Sequence, residues 1–305
     1  MPKFYLPLVN WIRAHPGIHK LARSTMLMVP DLPITMNVPE LGRFRFGFRR
    51  HRWLMGAHCF AGHALILGTF QHLIKPGDVF YDVGANIGYY TRFILAHFPV
   101  SHLVAFEPMT ANLKMLRANI EFANCQDKVT LMPVALGDTN TDEELQIDDV
   151  GDGSAVLSRI SGGQAAEPRR QYGLKPKGEI ISVIRLDDAI ARHHLPPPQV
   201  IKIDTEGAEC IVLQGARQTL LQHRPRLAIA LHGPQHARET LQLLGGIGYV
   251  CYGLVFENGQ QVYRELNASQ AESLADNNIV CSTDPEDVNQ PIEPLDTLNI
   301  PRVAS

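Results

Sequence analysis

The sequence predicts an α/β fold with a mostly parallel, seven-stranded sheet carrying helices on both faces. Three observations predict it. From about residue 79 onward, short apolar runs alternate with segments of helical periodicity. The first run, Val79–Val83, carries Asp82 near its end and opens into a turn framed by Gly84 and Gly88. The next run, His102–Phe106, stops at Glu107-Pro108.

The turn comes first because it places a ligand. A parallel sheet hands its first strand to its first helix at such a turn, and ligands bind in the crevice beyond the strand ends. Glycine permits the bend and admits a ligand where a Cβ would block it. Gly88 then opens a helix whose free N–H groups face the same crevice. Asp82, Gly84, Ala85, Asn86, Gly88 and Tyr89 are therefore candidate ligand contacts. The spacing is not the dinucleotide fingerprint G-x-G-x-x-G, because Asn86 stands where the second glycine belongs. No Gly-Lys-Ser/Thr follows either. A Rossmann-like turn with few phosphate-directed glycines suits a nucleoside-type ligand without phosphates, of which S-adenosylmethionine is the commonest. Glu107, 23 positions beyond Gly84, is placed to accept from ribose hydroxyls. Pro108 cannot donate to a ladder, so the chain turns there.

The remaining elements follow in order. Residues 1–74 read as an N-terminal arm and a covering helix. A short helix is expected near 7–14, within a stretch broken by prolines. In 42–52, Phe44, Phe46 and Phe48 alternate with Arg43 and Arg45, the pattern of a strand. Arg43, Arg45, Arg49, Arg50 and Arg52 are read as a solvated strand face, with an anion site as the alternative. A helix is expected over 58–74. Residues 75–282 hold the core, with strands near 79–83, 102–106, 129–133, 199–204, 226–231, 248–254 and 278–282. Helices fall near 88–98, 110–123, 209–222 and 235–245; Leu113, Leu116 and Ile120 give the second its apolar face. Between 140 and 185 the alternation breaks. Glycines there mark an insertion around two short strands near 144–148 and 179–186. It is expected either to wall or cover the site, or to be a loop without a role. Residues 283–305 read as an extended or disordered tail.

Composition bounds the function. The 305 residues are 45% apolar and 19% charged, enough for a full core. A formal net charge of −3 gives no global reason to expect nucleic acid as a partner. The five cysteines are scattered without a C-x-x-C pair, which reads as a reduced, cytoplasmic setting. Ala57–Ile74 is apolar but holds His58, His63, Gln71 and His72, so no transmembrane segment is expected.

Four blocks together carry a resemblance. DVGANIG at Asp82–Gly88, FEPMTANLKMLRAN at Phe106–Asn119, VALGD at Val134–Asp138 and IKIDTEGAE at Ile201–Glu209 resemble the signature blocks of FkbM-type S-adenosylmethionine-dependent methyltransferases. They occur in order across roughly residues 75–282. The resemblance implies a class I methyltransferase fold, S-adenosylmethionine as cofactor and O-methylation of a small molecule, a polyketide or a sugar of a glycan or glycolipid. It adds Ala135 to the cofactor contacts. The catalytic candidates are Asp204, at a strand end, Glu206 in the turn that follows, and His232 after the next strand. Each has a plainer reading: Asp204 as a helix cap, Glu206 and Glu209 as dipole partners, His232 as a turn residue. FkbM-like sequences often carry a glutamate two residues before this histidine; here Ala230 stands there. No metal is included in this reading. The rivals are a methyltransferase acting on RNA or protein, an NAD-dependent oxidoreductase, which Asn86 disfavours, and an inactive binding protein.

Overall fold

A computed structural model of the protein describes residues 29–38, 41–51, 69–148, 155–161, 167–171, 174–257, 260–269 and 278–288. The expected helix near 7–14, Arg52 and the chain from 289 onward lie outside these residues. Of the covering helix expected over 58–74, only 69–74 falls within them, and 69–73 is helical.

The chain begins with an antiparallel pair, β1 (Pro33–Val38) and β2 (Gly42–Gly47). The alternation predicted for β2 is present: Phe44 and Phe46 are buried, while Arg43 is exposed. The arginines are not a simple solvated face. Arg50 is buried and ion-paired with Asp31, and the Arg43 guanidinium lies 4.6 Å over the Phe122 ring.

The core starts at β3 (Val79–Val83), followed by α1 (Tyr89–His97), β4 (His102–Phe106), α2 (Thr110–Phe122) and β5 (Val129–Met132). Leu113, Leu116 and Ile120 of α2 are buried, as their spacing predicts. Asn119 of α2 ties the N-terminal pair to this face, accepting from Arg45 N at 2.6 Å and donating to Arg45 O at 3.0 Å.

The 140–185 segment is more built than two short strands. With its approach it forms β6 (Ala135–Leu136), β7 (Thr141–Ile147), β8 (Ala155–Leu157), the short helices α3 (Ser158–Ser161) and α4 (Glu167–Gln171), and β9 (Gly178–Ile184). The strands make a separate sheet in the order β6-β9-β7-β8. Leu145, Ile147, Leu157, Ile181 and Val183 give it a small core that packs on Met109.

The chain then forms α5 (Leu186–His193), β10 (Val200–Ile203), α6 (Glu209–Gly215), α7 (Arg217–His223), β11 (Arg226–Ala230), α8 (Pro234–Gly246), β12 (Val250–Glu257), β13 (Gln260–Leu266) and β14 (Asn278–Ser282). The predicted helix at 209–222 is two helices that meet at Ala216.

Among the described residues the main sheet has eight strands, one more than expected, in the order β13-β12-β14-β11-β10-β3-β4-β5. All seven predicted strands belong to it, and β13 is the addition, hairpin-paired to the edge of β12. β11 through β5 run parallel, whereas β14 is antiparallel to both β11 and β12. One apolar cluster covers the face carrying α1 and α2, and a second covers the face carrying α5 to α8. The fold is thus α/β and Rossmann-like, with its crevice at the carboxyl ends of β3, β4 and β10.

The cysteines depart from the scattered-thiol expectation. Cys251 of β12 and Cys281 of β14 are register partners and are joined as a disulfide, while Cys125 and Cys210 are free. Among the described residues, no helix is long and apolar enough to cross a membrane.

Candidate active site

The site begins with the turn after β3. Gly84 has φ +75°, and a Cβ there would stand 2.0 Å from the Asp204 carbonyl oxygen. Gly88 has φ +87°, and its Cβ would stand 2.4 Å from Leu116 Cδ1. Only glycine meets both demands, so the turn packs tightly between β10 and α2. A pocket of about 180 Å³ opens beside it.

The predicted cofactor residues divide into two groups. Gly84, Ala85, Asn86 and Tyr89 line the pocket from the turn. Glu107, Pro108 and Ala135 line it from the strand ends beyond. Asp82 and Gly88 do not. Asp82 is fully buried beneath the turn, where it accepts from Thr91 Oγ1 at 2.7 Å and Lys202 Nζ at 3.0 Å. Gly88 is spent on the helix start, its amide bonded to Ala85 O.

Glu107 is held in place by backbone. Oε2 accepts from Asn86 N at 2.8 Å, and Oε1 accepts from Met109 N at 2.9 Å and, more weakly, from Asn112 Nδ2 at 3.4 Å. Burial pushes its carboxyl up to about 7, against these hydrogen bonds and the charge of Lys202.

Lys202 was hidden inside the apolar run Val200–Ile203, where no periodicity marks it. In the sheet it is the register partner of Asp82. Its ammonium is buried, donates to Asp82 Oδ1 and to Gly84 O at 3.1 Å, and lies 4.7 Å over the Tyr90 ring. Asp204 Oδ2 is 3.7 Å away on the other side. Burial works against the charge, but Asp82 and Asp204 outweigh it and hold the lysine above its ordinary value.

The catalytic candidates meet at the mouth of the pocket. Asp204 and Glu206 line it and are part-exposed; His232 sits behind them and is not a lining residue. His232 Nε2 is 3.6 Å from Glu206 Oε2 and 3.9 Å from Asp204 Oδ1. Its Nδ1 is 3.0 Å from Glu209 Oε1. Glu209, whose plainer reading from sequence is a dipole partner, is the nearest of the three carboxylates to His232. It is fully buried, and the same oxygen accepts from Thr205 N at 3.2 Å and Gly207 N at 3.0 Å. Burial works against charge on His232, but Glu209, Glu206 and Asp204 together raise it to about 9. At neutral pH it is an imidazolium and has no free lone pair with which to take a proton. Ala230 offers no carboxylate, and Glu209 holds the ring in its stead. Asp204 is not the cap of α6, whose N-cap is Ala208.

The second sheet adds Leu145 of β7 with Ala155 and Leu157 of β8 to the lining, so the pocket combines carboxylates with apolar surface.

Comparison with known proteins bears on what this arrangement is for. A family model for the methyltransferase FkbM domain matches residues 82–251. The 31-O-demethyl-FK506 methyltransferase FkbM of Streptomyces tacrolimicus is 27% identical over 215 residues, 65% of this chain and 80% of that protein. The 2-O-methyltransferase NoeI of Sinorhizobium fredii is 30% identical over 157 residues, 50% of this chain and 63% of that protein. A crystal structure of the methyltransferase FkbM from Methylobacillus flagellatus KT aligns at 19% identity with a TM-score of 0.41, covering 67% of this chain and 43% of that one. The matched segment runs from the buried Asp82 to the disulfide-bonded Cys251 and so takes in the glycine turn, Glu107, Lys202 and the Asp204–Glu209 turn. By that match the chain belongs to the FkbM family of methyltransferases.

Proposed function

We propose that the protein transfers the methyl group of S-adenosylmethionine to a hydroxyl oxygen of a sugar, a glycan or glycolipid, or a polyketide-like small molecule. The observation that carries this reading is Glu107. Its carboxylate is fixed by two backbone N–H groups at the edge of a glycine turn, with acceptor capacity left over for a diol. The pocket beside it is largely apolar, as an adenosine needs. The turn bears few phosphate-directed glycines, which argues against NAD. S-Adenosylmethionine, when bound, supplies a methyl group already activated on a sulfonium, so the protein's own work is positioning and proton removal.

Asp204 is the residue best suited to take the acceptor's proton. It lines the pocket, is part-exposed at its mouth, and is braced by Lys202 behind it. Glu206 is its neighbour in that role. His232 contributes a fixed positive charge beside both carboxylates. The sheet formed by β7 and β8 supplies an apolar wall for the acceptor. The relatives named above are a 31-O-demethyl-FK506 methyltransferase and a 2-O-methyltransferase, names that support oxygen as the accepting atom. A formal net charge of −3 supports an uncharged small molecule over nucleic acid. The cytoplasm is the compartment where S-adenosylmethionine is made and is the proposed location.

Calorimetric titration with S-adenosylmethionine, its demethylated product and NAD tests the cofactor. Saturable NAD binding without S-adenosylmethionine binding would end the reading. Isotope-labelled S-adenosylmethionine with hydroxylated acceptors, followed by mass spectrometry, tests the acceptor; label on nitrogen or carbon alone would overturn O-methylation.

A further inference from the structure

Among the described residues that line the pocket, Lys202 carries the only cationic side chain; Glu107, Asp204 and Glu206 are its carboxylates. The side chain is only 2% exposed, so the ammonium meets the pocket while almost wholly withdrawn from bulk solvent. Two of its three N–H groups are committed, to Asp82 Oδ1 and Gly84 O, and the third side faces Asp204 Oδ2 and the Tyr90 ring. It is therefore a fixed charge under the cofactor turn, balanced by one fully buried carboxylate and one at the pocket mouth. In a low-dielectric site such a charge acts strongly on any ligand that is itself charged.

We propose that Lys202, braced between Asp82 and Asp204, sets how strongly this pocket distinguishes a cationic sulfonium from the neutral thioether that remains after the methyl group has left. This rests on S-adenosylmethionine being the cofactor. Without the lysine, the carboxylates would hold the sulfonium too well, and its loss of charge on transfer would be opposed. With it, the hold is weakened in the charged state and relieved in the neutral one. Interactions of that kind favour the transition state over the bound reactant. Lys202 is in this sense a positioning and charge-setting residue rather than a proton carrier.

The test is the ratio of two affinities, read by calorimetry without turnover: S-adenosylmethionine against its demethylated product. Lys202→Gln removes the charge and keeps N–H donors for Asp82 and Gly84. It should shift the ratio toward the sulfonium by about tenfold. Asp204→Asn removes the opposing charge from a part-exposed side chain, so the buried core is untouched, and should shift the ratio the other way. Parallel changes in both affinities, leaving the ratio at its parental value in either variant, would overturn the proposal. Should Lys202→Gln fail to fold, Asp204→Asn still decides, because an unmoved ratio there means the Asp82–Lys202–Asp204 charges do not reach the ligand. Failure of the parent protein to bind either ligand would instead overturn the cofactor assignment.

Discussion

Cofactor affinity should depend on pH through Glu107, and the structure fixes the direction. The carboxyl is buried and pushed up to about 7 from an ordinary 4.5. Below about 7 the acid form dominates, and a carboxylic acid cannot accept from two hydroxyls as a carboxylate can. Each pH step of one below about 7 should therefore weaken binding about tenfold, while affinity levels off above it. Glu107→Gln keeps the size of the side chain, removes the titration and loses the charge-assisted bonds. Gln keeps one accepting oxygen, so about one such bond, worth about 1.5–3 kcal/mol, is lost, and affinity should fall about ten- to 150-fold above pH 8. Glu107→Ala, which loses both acceptors, should lie at a hundredfold or beyond. The assay is calorimetric titration from pH 5.5 to 8.5 on parent and variants. A parental affinity that stays flat with pH, or a Glu107→Gln variant that binds as well as the parent, would refute the argument. Stability gives an independent check with its own sign. The folded carboxyl keeps its proton where the unfolded chain has released it, so stability is greatest below 4.5 and falls as pH rises through about 7. The parent's stability in denaturant unfolding should therefore fall by about 3 kcal/mol between pH 4.5 and 8, and Glu107→Gln, which does not titrate but leaves one of the two backbone N–H groups without an acceptor, should lack that fall.

Three further predictions concern the rest of the site. Asp204→Asn should slow single-turnover methyl transfer about 10²- to 10⁴-fold while the protein still binds S-adenosylmethionine; near-parental rates would place the base elsewhere. His232 should titrate by NMR near 9, and Glu209→Gln should lower it; because the folded value exceeds the ordinary 6.5, its contribution to stability is full below 6.5 and lost as pH rises through about 9. Amide hydrogen exchange in β7, β8 and β9 should slow when cofactor and acceptor are both present, and unchanged exchange would remove this sheet from the acceptor site.

Much of the fold was legible because it rests on short-range pattern. Seven strands of the main sheet announce themselves as apolar runs, and α2 by Leu113, Leu116 and Ile120. The sequence predicts neither β13 nor α5. The helix Leu186–His193 is only eight residues long and begins where the strand near 179–186 was expected to end, so its Leu186, Ala189 and Ile190 stripe is too short to stand out. β13 pairs only with β12, and its residues Glu265 and Arg264 are exposed, so no apolar run marks it. The 140–185 segment shows glycines to the eye and a sheet in the structure, because pairing β9 with both β6 and β7 is a long-range event.

The same division runs through the site. Spacing marked the glycine turn and the acidic residue beyond it, each a local answer to backbone geometry at a strand end, and the resemblance to the FkbM blocks marked Asp204. Tertiary structure decided what the ionisable groups do. Lys202 in a four-residue apolar strand looks misplaced until the register sets it beside Asp82. Glu209 looks like a helix-start acid until β11 brings His232 to 3.0 Å. His232 looks like a turn residue until Asp204, Glu206 and the α6 residue Glu209 gather around its ring. The reason is physical. Backbone conformation is governed by neighbours in sequence, whereas charge is governed by burial and by the nearest opposite charge, and both of those are set by which strands lie side by side.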